Sequence, residues 1–438
     1  MNKITKVVSV SALLLISASG LFAQQTWTLR GCIDYARENN IQVQKSRIAT
    51  EGYDVDISQS KAELFPSLSG SVSQEFNNAK NAQKNYKYES SFGGRYNLSA
   101  NVVLYNGRKN LNNIELAKLN KNAEQLNTQY IQNNIEIEIT QAYLQMLYSR
   151  ESIKNNENTV ASTKVQLDQS KTFLDAGSIT MSDYAQVEAQ YSSDKYNLVV
   201  AQNSFDNYKL QLKQLLELDY DVDFEPEFPD IDDSQVLSML PAKEDIYRTA
   251  LNIMPEIKSS EMDVQIAKLN KSSAKAGYLP TVSLSGSLGT ANSWNGGTAY
   301  GTQLDRNFTQ SVGLTVSIPI FDNKQTESKV RKANLDIQTS RLNVLDTRKT
   351  LLRTIESLYQ DAVSAQSKYL SAKDKLKSAE LSYTLVQEQF SLGLRNTVEL
   401  TTEKTNHVNA LQELLQAKYT ALLSLKLLNF YQGQDITL

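Results

Sequence analysis

Apolar residues recur along the chain with two different periods. From Leu351 they fall at Leu351, Ile355, Leu358, Ala362, Ala365, Tyr369, Ala372, Leu376, Ala379, Tyr383, Val386 and Phe390, in alternating steps of four and three. Such a 3.5-residue period keeps one seam of a helix turned toward a partner and drives a left-handed supercoil. Val187, Tyr191, Asp194, Leu198, Ala201, Phe205, Tyr208, Leu212 and Leu215 keep the same rhythm, with Asp194 as its one polar interruption. No proline falls between Asn106 and Ala176 or between Lys324 and Leu392. Each span of roughly 70 residues predicts a helix about 100 Å long. Helices of that length suit a rod or a tube rather than a compact domain.

The second period is two. Tyr96, Leu98, Ala100, Val102 and Leu104 alternate with Asn97, Ser99 and Asn101. Val312, Leu314, Val316, Ile318 and Ile320 alternate with Ser311, Gly313, Thr315 and Ser317. Val282, Leu284, Gly286 and Leu288, and more weakly Leu68, Gly70 and Val72, alternate with small polar residues. Runs of about ten residues with one apolar and one polar face are the pattern of membrane β-strands. Four strands do not close a barrel, which needs about eight, so several chains must combine. The polar segments 77–94 and 291–308 read as surface loops, with Trp294 and Tyr300 as candidate interfacial anchors.

The pattern occurs twice. Leu64-Phe65-Pro66-Ser67-Leu68-Ser69 is answered by Tyr278-Leu279-Pro280-Thr281-Val282-Ser283. Asn101 through Asn106 is answered by Ser317 through Asp322, and residues 177–183 (GSITMSD) by 393–399 (GLRNTVE). The offset is roughly 215 residues each time, which marks a tandem duplication. The expected organisation is a signal peptide over 1–23, a first repeat over 24–218, an acidic linker over 219–242, a second repeat over 243–433 and a short tail over 434–438. Met1 to Lys6 is basic, Val7 to Phe22 is apolar and Ala23 precedes Gln24-Gln25, the layout of a secretory leader. Beyond it no stretch reaches the roughly 18–20 apolar residues of a spanning helix. The linker, with Pro226, Pro229 and Pro241, reads as solvated. Its Asp219, Asp221 and Asp223 lack the glycine that a calcium loop requires, Phe224 standing in its place.

Composition narrows the chemistry. The 438 residues include one cysteine and one histidine, with a formal net charge of −3. That balance gives no footprint for nucleic acid. A single cysteine makes neither an internal disulfide nor a cysteine zinc cluster, and Cys32 reads as a half-buried helical residue. His407 stands without the partners of a catalytic triad, and no phosphate-cradling or nucleophile-elbow motif is present. The sequence therefore predicts no catalytic residues, no cofactor and no metal. Energy for any transport must come from a partner.

The order helix, strand, strand, long helix, turn, helix, written twice, resembles the TolC family of outer-membrane efflux proteins. The residues that carry the likeness are the strand entries at Pro66 and Pro280, the strand exits Leu104-Tyr105-Asn106-Gly107 and Ile320-Phe321-Asp322-Asn323, and the turns Ala176-Gly177 and Leu392-Gly393. The opening Trp27-Thr28-Leu29, with Cys32-Ile33, Ala36 and Asn39-Asn40, is similar as well. Asn323 departs from the glycine pair usual after that aspartate.

The resemblance implies a mixed, mainly α fold. In it a homotrimer builds a 12-stranded barrel in outer-membrane lipid, continued by a periplasmic tube of twelve helices. It also implies an adaptor and an inner-membrane pump as partners in efflux or type I secretion. The competing reading is a secreted or envelope coiled-coil protein without a pore. Two helical hairpins are expected to turn near 176–180 and 392–396, with Thr180 and Asn396 capping the helices that follow. Gly177, Thr180, Gly393 and Asn396 then form the adaptor-docking end. By the resemblance, Asp183 and Arg395 match a link between neighbouring hairpins that holds the entrance closed. Phe390 replaces a tyrosine of that link. Glu399 matches an acid ringing the entrance, and the next ring position falls on Thr402, with Glu403 beside it.

Overall fold

The computed structural model describes residues 27–81, 87–294 and 297–438; the leader over 1–23 lies outside them. Helices α1 (Leu29–Asn39) and α2 (Ile41–Ala62) lead into strands β1 (Ser67–Asn81) and β2 (Lys87–Tyr105). Helix α3 (Lys109–Asp175) and helix α4 (Met181–Leu215) then form a hairpin. After a linker with the single turn α5 (Asp233–Val236), the layout returns as α6 (Lys243–Ile253), α7 (Pro255–Lys275), β3 (Thr281–Ser293), α8 (Tyr300–Arg306), β4 (Thr309–Ser317), α9 (Gln325–Ser391) and α10 (Thr397–Tyr431). The long helices of the two halves match in length. Helices α3 and α9 have 67 residues each, and α4 and α10 have 35 each. At 1.5 Å per residue the longer pair reach about 100 Å.

The 3.5-residue seam is where the hairpins pack. Every seam position of α9 from Leu351 to Phe390, and every one of α4 from Val187 to Leu215, is buried or half-buried. No helix among the described residues is long and apolar enough to cross a membrane.

The broadest core lies halfway along the long helices, where α1, α6 and the linker wrap them. Ile33 and Ala36 of α1, Ile139, Tyr143 and Met146 of α3, Ile246 of α6, Ile355 of α9 and Leu428 of α10 are buried together there. Cys32 is fully buried in this core and its thiol is pushed up to about 12 by desolvation. The linker does not behave as solvated chain. Phe224, Ile231 and Val236 insert into the core. Trp27 bridges to Pro226 through the bonds Trp27 N–H to Glu225 O (3.0 Å) and Glu227 N–H to Trp27 O (3.0 Å). Its acids face water while these apolar residues supply the burial, a mixture that composition alone reads as solvent. The buried Tyr143 hydroxyl donates to Glu227 O at 2.6 Å and lies 3.1 Å from Trp27 O, tying chain start and linker to α3. Tyr143→Phe should lower stability by about 0.5–1.5 kcal/mol, measurable as a drop in thermal midpoint with export unchanged at low temperature.

The strands form one antiparallel sheet in the order β1-β2-β3-β4. Register places Val72 opposite Tyr96, Leu98 opposite Leu288, Val102 opposite Leu284 and Leu284 opposite Leu314. Cross-strand partners share a face, so these residues make one apolar surface. Ser69, Ser99, Ser287 and Ser311 line up across all four strands on the other face. Their hydroxyls pair at 2.8 Å between β1 and β2 and at 2.8 Å between β3 and β4.

Three expectations change here. Of segment 77–94, residues 77–81 and 87–94 are strand and not loop: β1 runs to Asn81 and β2 starts at Lys87, pairing Asn77 with Ser91 and Lys80 with Tyr88. A polar hairpin needs only its backbone ladder when both faces meet water. Strand β4 stops at Ser317, short of Ile318 and Ile320, because Pro319 has no N–H to continue the ladder. In segment 291–308, β3 continues to Ser293 and α8 folds back onto the apolar side of the sheet. There Thr290 donates to Leu304 O (2.6 Å) and Tyr300 to the Tyr96 hydroxyl (2.9 Å).

Candidate functional site

The two hairpin tips are built alike. Helix α3 ends with Gly177 at φ +69° and α9 with Gly393 at φ +74°, both left-handed. Each end closes with the same pair of bonds, Gly177 N–H to Leu174 O with Ser178 N–H to Phe173 O, and Gly393 N–H to Phe390 O with Leu394 N–H to Gln389 O. This is the Schellman pattern, which satisfies the last carbonyls of a helix. Three residues on, reciprocal capping boxes start the return helices, Thr180 with Asp183 and Asn396 with Glu399. A Cβ at Gly177 or Gly393 would meet nothing within 4 Å. A bulky residue there therefore adds left-handed strain of only about 1–2 kcal/mol, without a clash. If an adaptor docks at the tips, as the resemblance implies, Gly177→Val and Gly393→Val should leave assembly intact and abolish export; normal export in both would remove that expectation.

The strand exits at the other end of the long helices turn with less glycine. Gly107 and Arg108 are left-handed before α3, as are Asn323 and Lys324 before α9. At the second exit the Asp322 carboxylate accepts from Thr326 N–H at 2.8 Å, so the turn forms without the glycine pair.

At the tips the charged residues are engaged locally. Asp183 accepts from the Thr180 hydroxyl (2.7 Å) and amide (3.0 Å). These bonds hold its carboxyl below the usual carboxylate range. Glu399 is held low by the Asn396 amide and then by Arg395. Arg395 donates to Glu399 at 2.9 Å and to Gln389 at 2.8 Å. Within one chain the structure thus gives Asp183 and Arg395 separate partners. Glu403 turns into the α9–α10 seam, where it accepts from Ser382 at 2.8 Å. Phe390 packs edge-on against Phe173 with ring centres 6.0 Å apart, which binds the end of α9 to the end of α3. The sequence shows only the missing hydroxyl of Phe390; its aromatic partner lies in the other repeat. His407 stacks on Tyr383 at 5.4 Å between centroids, a packing role. Met181, Leu392, Leu394 and Val398 are apolar and exposed around the two turns, a surface the charge pattern did not announce.

A family model for outer membrane efflux proteins matches residues 32–217 and 246–434, once per repeat. The chain belongs to this family. Outer membrane efflux protein BepC of Brucella suis is 24% identical over 414 residues, covering 94% of this chain and 86% of that protein. Outer membrane protein TolC of Escherichia coli is 23% identical over 427 residues, covering 93% and 83%. The crystal structure of CusC superposes with a TM-score of 0.80 at 16% identity, covering 94% of this chain and 93% of that one. As a member of the efflux family the chain is a transport protein and not an enzyme. It resides in the outer membrane, its sheet in the lipid and its long helices in the periplasm. It serves as the exit duct of an efflux or type I secretion route. The pore-free coiled-coil alternative finds no support.

Proposed function

We propose that three copies join edge to edge into a passive duct, engaged at its periplasmic tip by an adaptor and driven by an inner-membrane pump. The observation that carries this is the sheet: its apolar face is open along four strands, and its edges β1 and β4 each pair on one side only among the described residues. An open sheet edge does not persist in hydrocarbon. Pairing β4 of one copy with β1 of the next three times over removes every edge. It turns the apolar face to lipid and the serine-lined face to a lumen. Heat-modifiable trimers in detergent extracts and ion conduction in planar bilayers test the assembly. A detergent-independent monomer would remove it.

At the tip, three Glu399 carboxylates converge into a cation-attracting ring, and Asp183 and Arg395 of neighbouring chains link the hairpins closed. Such a link exchanges the local bonds of Asp183 with Thr180 and of Arg395 with Glu399, so each contact is worth little, about 0–1 kcal/mol. Three copies acting together suffice for a weakly held gate. Arg395→Ala and Asp183→Ala should each raise conductance, and the double variant should add less than the sum of the two. Glu399→Gln should reduce cation preference. Unchanged conductance and selectivity in all of these would leave the acids as helix caps and nothing more.

A further inference from the structure

The serine-lined face of the sheet is nearly free of charge. The odd-numbered residues of 67–73, 97–101, 283–293 and 309–317 share this face by register. Every one of them is serine, threonine, asparagine, glycine or alanine. Two charged side chains break the pattern, both toward the end of the sheet away from the long helices. Arg95 of β2 stands on this face opposite Ser73 and Ala291, and Glu75 of β1 stands opposite Gly93.

Their level is set by the pairing. Thr309, the first residue of β4, lies opposite Gly289, which lies opposite Asn97, itself opposite Ser71. That is the last row to which all four strands contribute. Arg95 is in the next row and Glu75 in the one beyond. Glu89, the next charge on this face, is further out still, opposite Ala79. Arg95 and Glu75 are exposed, and among the described residues they form no ion pair with each other. The small residues opposite neither cover nor neutralise them. An exposed diagonal pair of this kind is worth only about 0–1 kcal/mol when it does form, so both charges stay open to passing solutes.

The width of the bore decides whether such charges matter. Twelve strands about 4.8 Å apart, tilted by about 40°, close a wall roughly 12 Å from the axis. The Debye length at 0.1 M salt is about 10 Å. Three guanidiniums reaching inward from that wall therefore act on every ion that passes.

We propose that Arg95 and Glu75 are the charge filter of the outer mouth. Three Arg95 side chains form a ring that favours solutes carrying an anionic group. Three Glu75 carboxylates oppose it from one row further out, about 7 Å along the strand. A departing solute meets the positive ring first. This rests on the duct reading, and a wild-type protein that conducts no ions would remove that reading on its own account.

Reversal potentials in planar bilayers under a KCl gradient test the filter. The K+/Cl− permeability ratio should rise roughly two- to threefold in Arg95→Gln and fall by a similar factor in Glu75→Gln. The double variant should lie near wild type. A cross-strand pair that serves stability alone gives no such opposite shifts, since both variants would weaken the barrel alike. Arg95→Cys keeps the test independent of folding, because charge is then added to the assembled protein while Cys32 is fully buried. A cationic methanethiosulfonate should restore the wild-type ratio, and an anionic one should carry it beyond that of Arg95→Gln. An unchanged ratio in both glutamine variants, or shifts of the same sign, would overturn the filter. So would equal ratios after modification by the cationic and the anionic reagent.

Discussion

Leu314→Arg should destabilise the assembled barrel by about 2–4 kcal/mol, while Thr315→Arg, one residue on, should cost far less. The difference rests on register. Leu314 lies opposite Leu284, which lies opposite Val102. All three belong to the apolar surface of the sheet, and Leu314 is 62% exposed. In the membrane lipid is what covers it. An arginine there must snorkel or draw water into the hydrocarbon, and each option costs free energy.

Thr315 points the opposite way. It pairs with Ser283, on the face where serines and asparagines meet the lumen water. A guanidinium there keeps its hydration. Equilibrium unfolding in lipid vesicles, or the temperature at which detergent-resistant trimers dissociate, should separate the two variants. Equal penalties at both positions would remove the assignment of lipid and lumen faces.

The features most legible in the sequence are those whose signal is local. A 3.5-residue period needs only its own helix to be read, and each position it marks from Leu351 to Phe390 is withdrawn from solvent. The capping boxes at Thr180 and Asn396 are equally local, an oxygen three residues before an acid. What stayed hidden depends on residues far apart in the chain. Asp194 reads as a flaw in its seam until Lys404 is placed beside it, and no local pattern pairs the two. Phe224, Ile231 and Val236 are scattered in an acidic segment, so the linker reads as solvent although they sit in the core. The hairpin continuing from Asn77 to Asn81 escaped notice because backbone pairing there carries no apolar stripe. At the tips the residue types and positions were legible, but their bonds within one chain are local.

Arg37→Met should cost about 3–5 kcal/mol at neutral pH, because it leaves a carboxylate buried without its counter-charge. Glu136 lies in the middle of α3 under α1, and its side chain is 2% exposed. Arg37 reaches it from α1 at 2.5 Å. Methionine keeps most of the arginine's stem packing, so the variant isolates the charge. Burial raises the Glu136 carboxyl above its ordinary range, and Arg37 pulls it partly back. Without Arg37 the carboxyl is raised further. A group whose folded pKa lies above its unfolded value favours the folded state most when protonated. That contribution is complete below the unfolded pKa and is lost as pH rises through the folded one. The penalty of Arg37→Met should therefore be small in mild acid and grow toward neutral pH, and adding Glu136→Gln should flatten that dependence. Thermal unfolding of the assembled protein across this range measures both effects. A penalty that does not change with pH, or one that Glu136→Gln leaves unchanged, would show that Arg37 acts through packing rather than as the counter-charge of Glu136.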